Sequence, residues 1–297
     1  MGNKERRYRL KPNEVVYLGL QHKQHNKYTL SKENEIKLFQ YRDKGCSIKR
    51  LFFDIETSPN VVYSWRIGYN LNITPDNIID ERKIICISYK WENEDKIHTL
   101  TWDNNQCDKQ MLIDFVKIAN QSDEMIAHNG DRFDIKWIRT RCIFHRIPMF
   151  PNYRTLDTLK KAKSGFNFNS NKLDYIAQFL GVGAKVKHSG FDMWKGVMAG
   201  NKEAMKEMTH YCEGDIIVLE DVFQTMQNYI KQNVHVGVLN NNLRYSCPVC
   251  GSENTELLKN NVTALGTIKR LMQCECGHAH EISNSSYMNY LKFKNVI

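Results

Sequence analysis

The sequence predicts an α/β fold in which a mixed sheet is flanked by helices. Three short apolar runs within residues 51–89 have the length and composition of strands, and further along the chain helical periodicity alternates with more short strands. This order is typical of an α/β domain. A chain of 297 residues, 41% of them hydrophobic, has room for such a domain and one or two small additions.

Each element is expected from its own pattern. In the helix expected from residue 109, Met111, Leu112 and Phe115 recur at helical spacing. A capping residue at Ser31 predicts a further helix near the N-terminus, and Gly181 closes a later one. The expected strands are Leu51–Ile55, Val61–Ile67, Lys83–Tyr89 and Met125–Ala127, and the expected helices of the main domain are Lys109–Ala119, Asp134–Arg146, Leu173–Leu180 and Lys202–Tyr229.

Composition divides the chain into four parts. Residues 1–49 are a basic N-terminal extension, residues 50–230 the α/β domain, residues 231–244 an Asn-rich linker and residues 245–297 a small domain with paired cysteines. The first 50 residues hold 13 Lys and Arg against 5 Asp and Glu, within a formal net charge of +9. A basic start suits contact with a polyanion, and it is equally typical of a solvated tail.

Several features predict where the protein acts. The sequence has no run of 18 apolar residues that would predict a membrane span, and its charged start does not resemble a secretion signal. Nine cysteines, an odd number, then favour reduced thiols. We therefore expect no membrane partner and an intracellular location, in the cytoplasm or, for a viral protein, in the host cytoplasm.

Two neighbouring acids stand in the first expected strand. Asp54 and Glu56 are two residues apart, so in a strand both side chains point to the same side. Two such acids beside apolar residues repel each other unless a cation lies between them. The alternative interpretation is that the strand ends at Phe53 and that the acids lie in a loop.

Two further acids occur in helices. Asp134 opens a helix after the tight turn at Gly130, where an acid is also common simply as a helix cap. Tyr211 and Asp215 are four residues apart and share one face of the longest expected helix. Gly214 costs that helix about 1 kcal/mol relative to Ala, which favours a close approach of another segment to its backbone.

Taken in order, FDIET, N-x3-F-D and Y-x3-D resemble the three exonuclease motifs of the DEDD superfamily, in the variant with Tyr in the third motif (DEDDy). The resemblance covers residues 50–230, and the segment is similar to the proofreading exonuclease domain of family B DNA polymerases. It implies a ribonuclease-H-like fold and metal-dependent 3′→5′ exonuclease activity. The polymerase motif Y-x-D-T-D-S is absent, so a free-standing exonuclease is expected.

The resemblance also implies the role of each residue. Asp54 would bridge two Mg²⁺ or Mn²⁺ ions, Glu56 and Asp215 would hold the ion that activates water, and Asp134 would support the ion on the leaving-group side. Hard cations of this kind prefer carboxylate oxygens, and a pair of them neutralises the phosphodiester and lowers the pKa of water. Tyr211 would orient the attacking water.

The third motif contains a competing candidate. His210 lies five residues before Asp215 and satisfies the H-x4-D pattern of the His-type subfamily, in which the His is a general base. Tyr211 is favoured because it alone lies one helical turn before Asp215.

The expected substrate is the 3′ end of single-stranded DNA. Thr57 and Asn129 are candidates for contact with the terminal nucleotide. Lys185 and Lys187 are candidates for contact with phosphates, although surface lysines are common without such a role. RNA is an alternative substrate, since the contact with a 2′-hydroxyl that would decide is not readable from sequence. A third alternative, an inactive nucleic-acid-binding protein, is expected to lack at least one carboxylate.

The paired cysteines predict a zinc ribbon. Cys247 and Cys250 form a C-x2-C pair, and Cys274 and Cys276 form a C-x-C pair, each followed by Gly. Four thiolates in two such pairs suit one tetrahedral structural Zn²⁺, which is expected to stabilise a region with few large apolar residues.

Two questions about this ribbon stay open in the sequence. The short second pair leaves His278 or His280 as a substitute for one cysteine ligand. Lys269 and Arg270 are consistent with a grip on nucleic acid, with a protein contact as the alternative.

Overall fold

The computed structural model describes residues 21–23, 27–29, 48–68, 70–92 and 94–296. The chain divides into two compact units, Lys49–Val222 and a unit that joins Phe223–Ile297 with Met1–Ile48. The mixed α/β class predicted from the sequence is confirmed. The helix expected to begin at Ser31 lies outside the described residues.

The described elements are numbered in chain order. The strands are β1 (Gln21–Lys23), β2 (Lys27–Thr29), β3 (Arg50–Thr57), β4 (Val61–Val62), β5 (Ile78–Asp80), β6 (Ile84–Trp91), β7 (His98–Thr101), β8 (Glu124–Ala127), β9 (Thr155–Asp157), β10 (Thr255–Val262), β11 (Ile268–Cys274) and β12 (Ala279–Ser283). The α-helices are α1 (Lys109–Ala119), α2 (Asp134–His145), α3 (Thr158–Gly165), α4 (Leu173–Leu180), α5 (Phe191–Met198), α6 (Lys202–Met226), α7 (Val236–Leu239) and α8 (Asn284–Phe293), and Pro75–Asn77 form a 3-10 turn.

The Lys49–Val222 unit is built on a five-stranded mixed sheet in the order β7-β6-β3-β8-β9. β3 lies in the centre, where it pairs antiparallel with β6 and parallel with β8. The parallel pairing involves only the first three residues of β3, from Arg50 to Phe52. The second half of β3 is therefore free on its β8 side, which opens that edge to other partners.

Helices cover both faces of the central strand. On one face, Phe53 packs against Phe115 of α1 with 5.6 Å between ring centroids. On the other face, Cys86 of β6 clusters with Met193 of α5 and Cys212 of α6. A strand buried on both faces has no solvated side. Any charge that it carries is therefore held away from bulk water and requires specific partners.

Buried ion pairs hold the strands in register around this core. Arg50, at the start of β3, donates from Nε to Glu124 of β8 at 3.0 Å and from Nη1 to Glu92 at 3.2 Å. Asp108 accepts two hydrogen bonds from Arg141 of α2, at 2.7 and 2.9 Å, and one from the backbone N–H of Ile84. These contacts link the strands on either side of β3 to the helices that cover them.

The second unit contains a three-stranded antiparallel sheet in the order β10-β11-β12. Its small core consists of Tyr245, Met272, Ile282 and Tyr290. The segment expected as a linker contains α7, whose Val236 is fully buried and donates its N–H to Pro248 at 2.9 Å. The division of the chain into the four predicted parts stays a prediction.

One expected element is wrong. The strand predicted over Val61–Ile67 ends at Val62, although apolar residues do alternate through it. Trp65 and Ile67 are fully exposed because no layer of the described structure packs against this segment. The other strands and helices expected in residues 50–230 occur, with α6 ending at Met226 rather than Tyr229. Among the described helices, none is both long and apolar enough to cross a bilayer.

Candidate active site and metal centre

Asp54 and Glu56 project from the same side of β3, as alternation along a strand requires. Asp54 pairs with Ser88 of β6 and Glu56 pairs with Cys86 of β6, so β3 continues through both acids and does not end at Phe53. The Cys212 thiol lies 3.6 Å from Asp54 Oδ2 and from the Asp54 carbonyl oxygen. This weak donor from α6 fixes one side of the Asp54 carboxylate.

Asp134 reaches β3 from the start of α2. Its Oδ1 accepts the backbone N–H of Ile55 at 3.2 Å. That N–H is available because β8 pairs with β3 only as far as Phe52. The early end of β8 thus brings the Asp134 carboxylate between the two acids of β3.

Asp215 and Tyr211 come from α6, one turn apart. Lys185 joins them, because its Nζ donates to Asp215 Oδ2 at 2.5 Å and to the Tyr211 hydroxyl at 3.1 Å. Asp215 is buried, whereas His210 is exposed on another side of the helix. The structure therefore brings Tyr211, and not His210, into the cluster of carboxylates.

The carboxylates converge at one point. Asp54, Glu56 and Asp215 each offer an oxygen, and these oxygens all lie within 4.8 Å of one another. Burial, followed by repulsion from Asp134 and the other acids, raises the pKa of Asp54 well above its ordinary value. Burial and the charge of Asp215 raise the pKa of Glu56 to about 8. Burial likewise raises the pKa of Asp134 to about 7. When ionised, the carboxylates therefore carry more negative charge than their surroundings stabilise unless further cations bind.

The residues present fit divalent cations. Within the described residues, the four carboxylates face one ammonium, that of Lys185, which leaves an excess of negative charge. Asp215 Oδ1 is buried and accepts no hydrogen bond within the described part of the chain. Carboxylate oxygens are the donors that Mg²⁺ and Mn²⁺ prefer. Asp215 Oδ1 is therefore available to bind a metal ion together with the other carboxylate oxygens.

Gly214 allows Lys185 to reach this cluster. A Cβ at position 214 would overlap the Val186 side chain, since Val186 lies directly on the helix backbone at that point. The close approach predicted from the glycine is therefore present, and the approaching segment is the one that carries Lys185. The backbone N–H of Lys185 donates to Asp174 Oδ1 at 2.8 Å.

The predicted substrate contacts fall in different places. Asn129 and Lys185 line a depression of about 600 Å³, together with Lys163 and Lys172. Asn129 has a left-handed backbone, with φ at 67°, and its N–H donates to Asp157. Lys187 is exposed.

Asp157 caps α3. Its carboxylate accepts the N–H groups of Leu159 and Lys160. It is therefore a structural acid that orients the Asn129 turn.

Thr57 lines a second, smaller depression of about 280 Å³, whose wall includes Arg82, Phe191 and Trp194. Trp194 Nε1 donates to the Thr57 carbonyl at 3.1 Å, so α5 is tied to the end of β3. This bond and the contact of Cys212 with Asp54 are not readable from the sequence. Neither residue belongs to a spacing pattern that could have pointed to it.

Four thiols form a separate cluster in the second unit. The Sγ atoms of Cys247, Cys250, Cys274 and Cys276 all lie within 4.8 Å of one another, with closest pairs at 3.5 and 3.7 Å. A disulfide requires about 2.05 Å. Sulfurs bound to zinc at about 2.3 Å lie roughly 3.8 Å apart along a tetrahedral edge, and the observed spacing is close to this value.

Neither histidine belongs to the cluster of thiols. His280 is buried, and its Nε2 lies 3.2 Å from the Tyr245 carbonyl, so that ring nitrogen already has a partner. His278 stacks beside His280 with 6.2 Å between ring centroids. Gly251 and Gly277 follow the two pairs with φ at 77° and 85°, which permits the tight turns that bring the sulfurs together.

A mixed sheet with a buried carboxylate cluster on its central strand is the arrangement of an RNase H-like nuclease. The family model described as RNase_H superfamily matches residues 77–227, just over half of the chain, and the chain belongs to that superfamily. The matched segment includes Asp134 and Asp215. Asp54 and Glu56 precede it.

No curated protein matches the sequence. Among solved structures, the chain is similar to the family B DNA polymerase of the hyperthermophilic archaeon Pyrobaculum calidifontis, at 13% identity and a TM-score of 0.48. The match covers 61% of this chain and 25% of the polymerase.

The close packing at Gly214 leads to a first prediction. Gly214→Ala should destabilise the protein by about 1–3 kcal/mol, because the added methyl group overpacks against Val186. Helix propensity alone predicts a gain of about 1 kcal/mol instead. Urea unfolding measures the difference. Val186→Ala serves as the control, and adding it to Gly214→Ala should recover most of the loss. A more stable Gly214→Ala variant would contradict the packing argument.

The raised pKa values lead to a second prediction. Between about pH 5 and pH 8 the folded, metal-free protein holds protons on Glu56 and Asp134 that the unfolded chain has released. Stability in EDTA should therefore fall as pH rises through this window, while the stabilisation by added Mn²⁺ should grow because the ion competes with those protons. Thermal unfolding at several pH values measures both. In Glu56→Gln the fall should be smaller, and equal stabilisation by Mn²⁺ at both ends of the window would refute the idea.

Proposed function

We propose that the chain is a metal-dependent 3′→5′ exonuclease of the DEDDy type that removes nucleotides from single-stranded DNA. The convergence of Asp54, Glu56 and Asp215 within 4.8 Å, beside Asp134, carries this proposal. The order of the three motifs supports the exonuclease type. Membership in the RNase_H superfamily supports nucleic acid as the substrate.

The site residues would divide the work between them. Asp54, Glu56 and Asp215 would hold one ion, and Asp54 and Asp134 a second; bound Mg²⁺ or Mn²⁺ neutralises the phosphodiester and lowers the pKa of the attacking water. The Lys185 ammonium holds the Tyr211 hydroxyl at the edge of this cluster, 3.1 Å from Nζ. From there Tyr211 can orient a water for attack. Asp134 and Asp215 are buried, which strengthens the charge interactions that they make.

Two depressions beside the carboxylates suit the two parts of a substrate. The larger one, lined by Lys163, Lys172 and Lys185, suits the strand that stays bound, because that strand carries many phosphates. The smaller one, with Thr57, Arg82 and an aromatic wall, suits the single nucleotide that leaves. This placement would put Asn129 and Thr57 on opposite sides of the scissile phosphate.

The thiol cluster is proposed to hold one structural Zn²⁺. The sulfur spacing and the two left-handed glycines support four thiolate ligands, without His278 or His280. The core of this unit is small, so the ion would contribute directly to its folding.

The nuclease proposal leads to a third prediction. Wild-type protein with Mg²⁺ or Mn²⁺ should shorten a 5′-labelled single-stranded DNA stepwise from its 3′ end, leave circular single-stranded DNA intact, and stop in EDTA. Asp54→Ala should lose at least about 100-fold in rate, since the lost ion contributes several kcal/mol. Asp114→Ala, at an exposed acid on α1, is the matched control and should keep full activity.

The same assay compares Tyr211 with His210. Tyr211→Phe should reduce the rate by about 10-fold or more, because the attacking water loses its orienting hydroxyl. His210→Ala should not, since that side chain is exposed away from the site. The opposite pattern would overturn the assignment of Tyr211. An RNA of the same sequence decides between DNA and RNA as the substrate. If the protein shortens neither nucleic acid, the remaining alternative is nucleic-acid binding without hydrolysis.

The zinc site leads to a fourth prediction. Purified wild-type protein should contain about one zinc ion per chain. The double variant Cys247→Ser, Cys250→Ser should lose the ion, and its second unit should unfold at a lower temperature. Elemental analysis and thermal unfolding give the two readouts. Cys107→Ser, outside the thiol cluster, and His280→Ala should both keep the zinc, and loss of zinc from His280→Ala would place that histidine among the ligands.

A further inference from the structure

An arm extends from the catalytic strand. It comprises residues 58–83, between β3 and β6, and is described except at position 69. Hydrogen bonds close its base: the Ser58 N–H donates to the Lys83 carbonyl, and the Lys83 N–H donates to Ser58 Oγ, both at 2.9 Å. The arm therefore begins directly after Glu56 and Thr57 and returns to the neighbouring strand.

Internal contacts hold the arm in shape. Val61 pairs with Asp80 in the small β4–β5 ribbon. The Tyr63 N–H donates to the Asn77 carbonyl at 2.9 Å, and Asn77 Nδ2 donates back to the Tyr63 carbonyl at 3.1 Å. The residues beyond the β4–β5 ribbon therefore belong to an ordered part of the arm.

Two exposed aromatic side chains among the described residues of the arm lie at a closed turn. Ser64 Oγ donates to the Arg66 carbonyl at 2.6 Å and accepts the Arg66 N–H at 3.3 Å, so the turn is closed around Trp65. Trp65 is 100% exposed and Tyr63 is 74% exposed. Tryptophan is usually largely buried, and exposed aromatic groups on an ordered support are typical of a binding surface.

Charge indicates what the turn binds. Residues 63–73 contain Arg66 and no acidic residue, and asparagines separate the apolar side chains. Arg66 forms no ion pair with any described carboxylate. A segment with aromatic side chains, one cation and no acid of its own suits nucleobases with their phosphates.

We propose that the arm binds unpaired bases of a nucleic-acid strand by stacking on Tyr63 and Trp65, with Arg66 near a phosphate. The proposal rests on the proposed nuclease function for its substrate, and it adds a binding site outside the carboxylate cluster. Trp65 lies eight positions after Thr57, so the two are at most about 28 Å apart. At about 3.4 Å per nucleotide, a strand of twelve nucleotides is longer than that greatest distance, and a dinucleotide covers only about 7 Å of it.

Binding without hydrolysis tests the arm directly. The affinity of a labelled 12-nucleotide single-stranded DNA is measured in EDTA by fluorescence anisotropy. Trp65→Ala should weaken binding by about 5- to 150-fold, the effect of one lost base–aromatic stack. Trp65→Phe should restore most of it because an aromatic face remains. Ile79→Ala, at an exposed aliphatic residue of the same arm, is the matched control and should bind as wild type.

A strand of twelve abasic residues separates stacking from charge. Trp65→Ala should bind it as wild type does, because it offers phosphates without bases. Wild-type protein that fails to bind the 12-nucleotide DNA, or a Trp65→Ala variant that binds it unchanged, overturns the proposal. A change in self-association by light scattering, with unchanged DNA binding, would assign the arm to a protein contact instead.

Kinetics distinguish failure of the arm from failure of the nuclease proposal. With Mg²⁺, Trp65→Ala should raise KM for the 12-nucleotide DNA and leave kcat unchanged, and it should not alter hydrolysis of a dinucleotide. If no variant hydrolyses DNA but Trp65→Ala still weakens binding, the nuclease proposal fails and the arm proposal stands. If hydrolysis is normal and neither KM nor affinity changes, only the arm proposal fails.

Discussion

Buried negative charge at the end of β3 is the constraint on which the rest of the first unit depends. Burial raises the pKa of Asp54, Glu56, Asp134 and Asp215, and repulsion from Asp134 and Asp215 raises the pKa of Asp54 and Glu56 further. Lys185 supplies one positive charge, which opposes the rise at Asp215. A fold that keeps such a cluster away from water has to compensate its charge in some other way, and divalent cations match both the charge and the donor atoms.

The surrounding structure holds the acids in place through backbone and packing contacts. The short pairing of β8 frees the Ile55 N–H for Asp134, and the missing side chain of Gly214 admits the segment that carries Lys185. The Trp194 bond to Thr57 ties α5 to the same strand. The acids are therefore positioned by rigid elements, which is the requirement for a preorganised site.

The two candidate metal sites follow the same physical logic with different donors. The first gathers hard carboxylate oxygens on three elements of a large domain, whose own core keeps it folded. The second gathers four soft thiols on two tight turns of a unit with a small core. The carboxylate site suits an ion that takes part in chemistry, and the thiol site suits an ion that stabilises a fold.

The sequence by itself determined the fold class and most element positions. Apolar periodicity is a local property, so α1 and α4 occur over the predicted residues, and Gly214 indicated a close contact before its partner was known. The same local signal failed at Val61–Ile67, because alternation does not reveal whether another layer covers the strand.

Only the tertiary structure decided which residues meet. In the sequence, Lys185 is equally consistent with a surface lysine, yet in the structure its Nζ lies between Tyr211 and Asp215. His210 and Tyr211 both satisfied a motif, and the orientation of α6 brings only Tyr211 to the cluster. Contacts such as Cys212 with Asp54 join residues far apart in the chain. Their proximity depends on the packing of whole elements, which no local pattern of residues records.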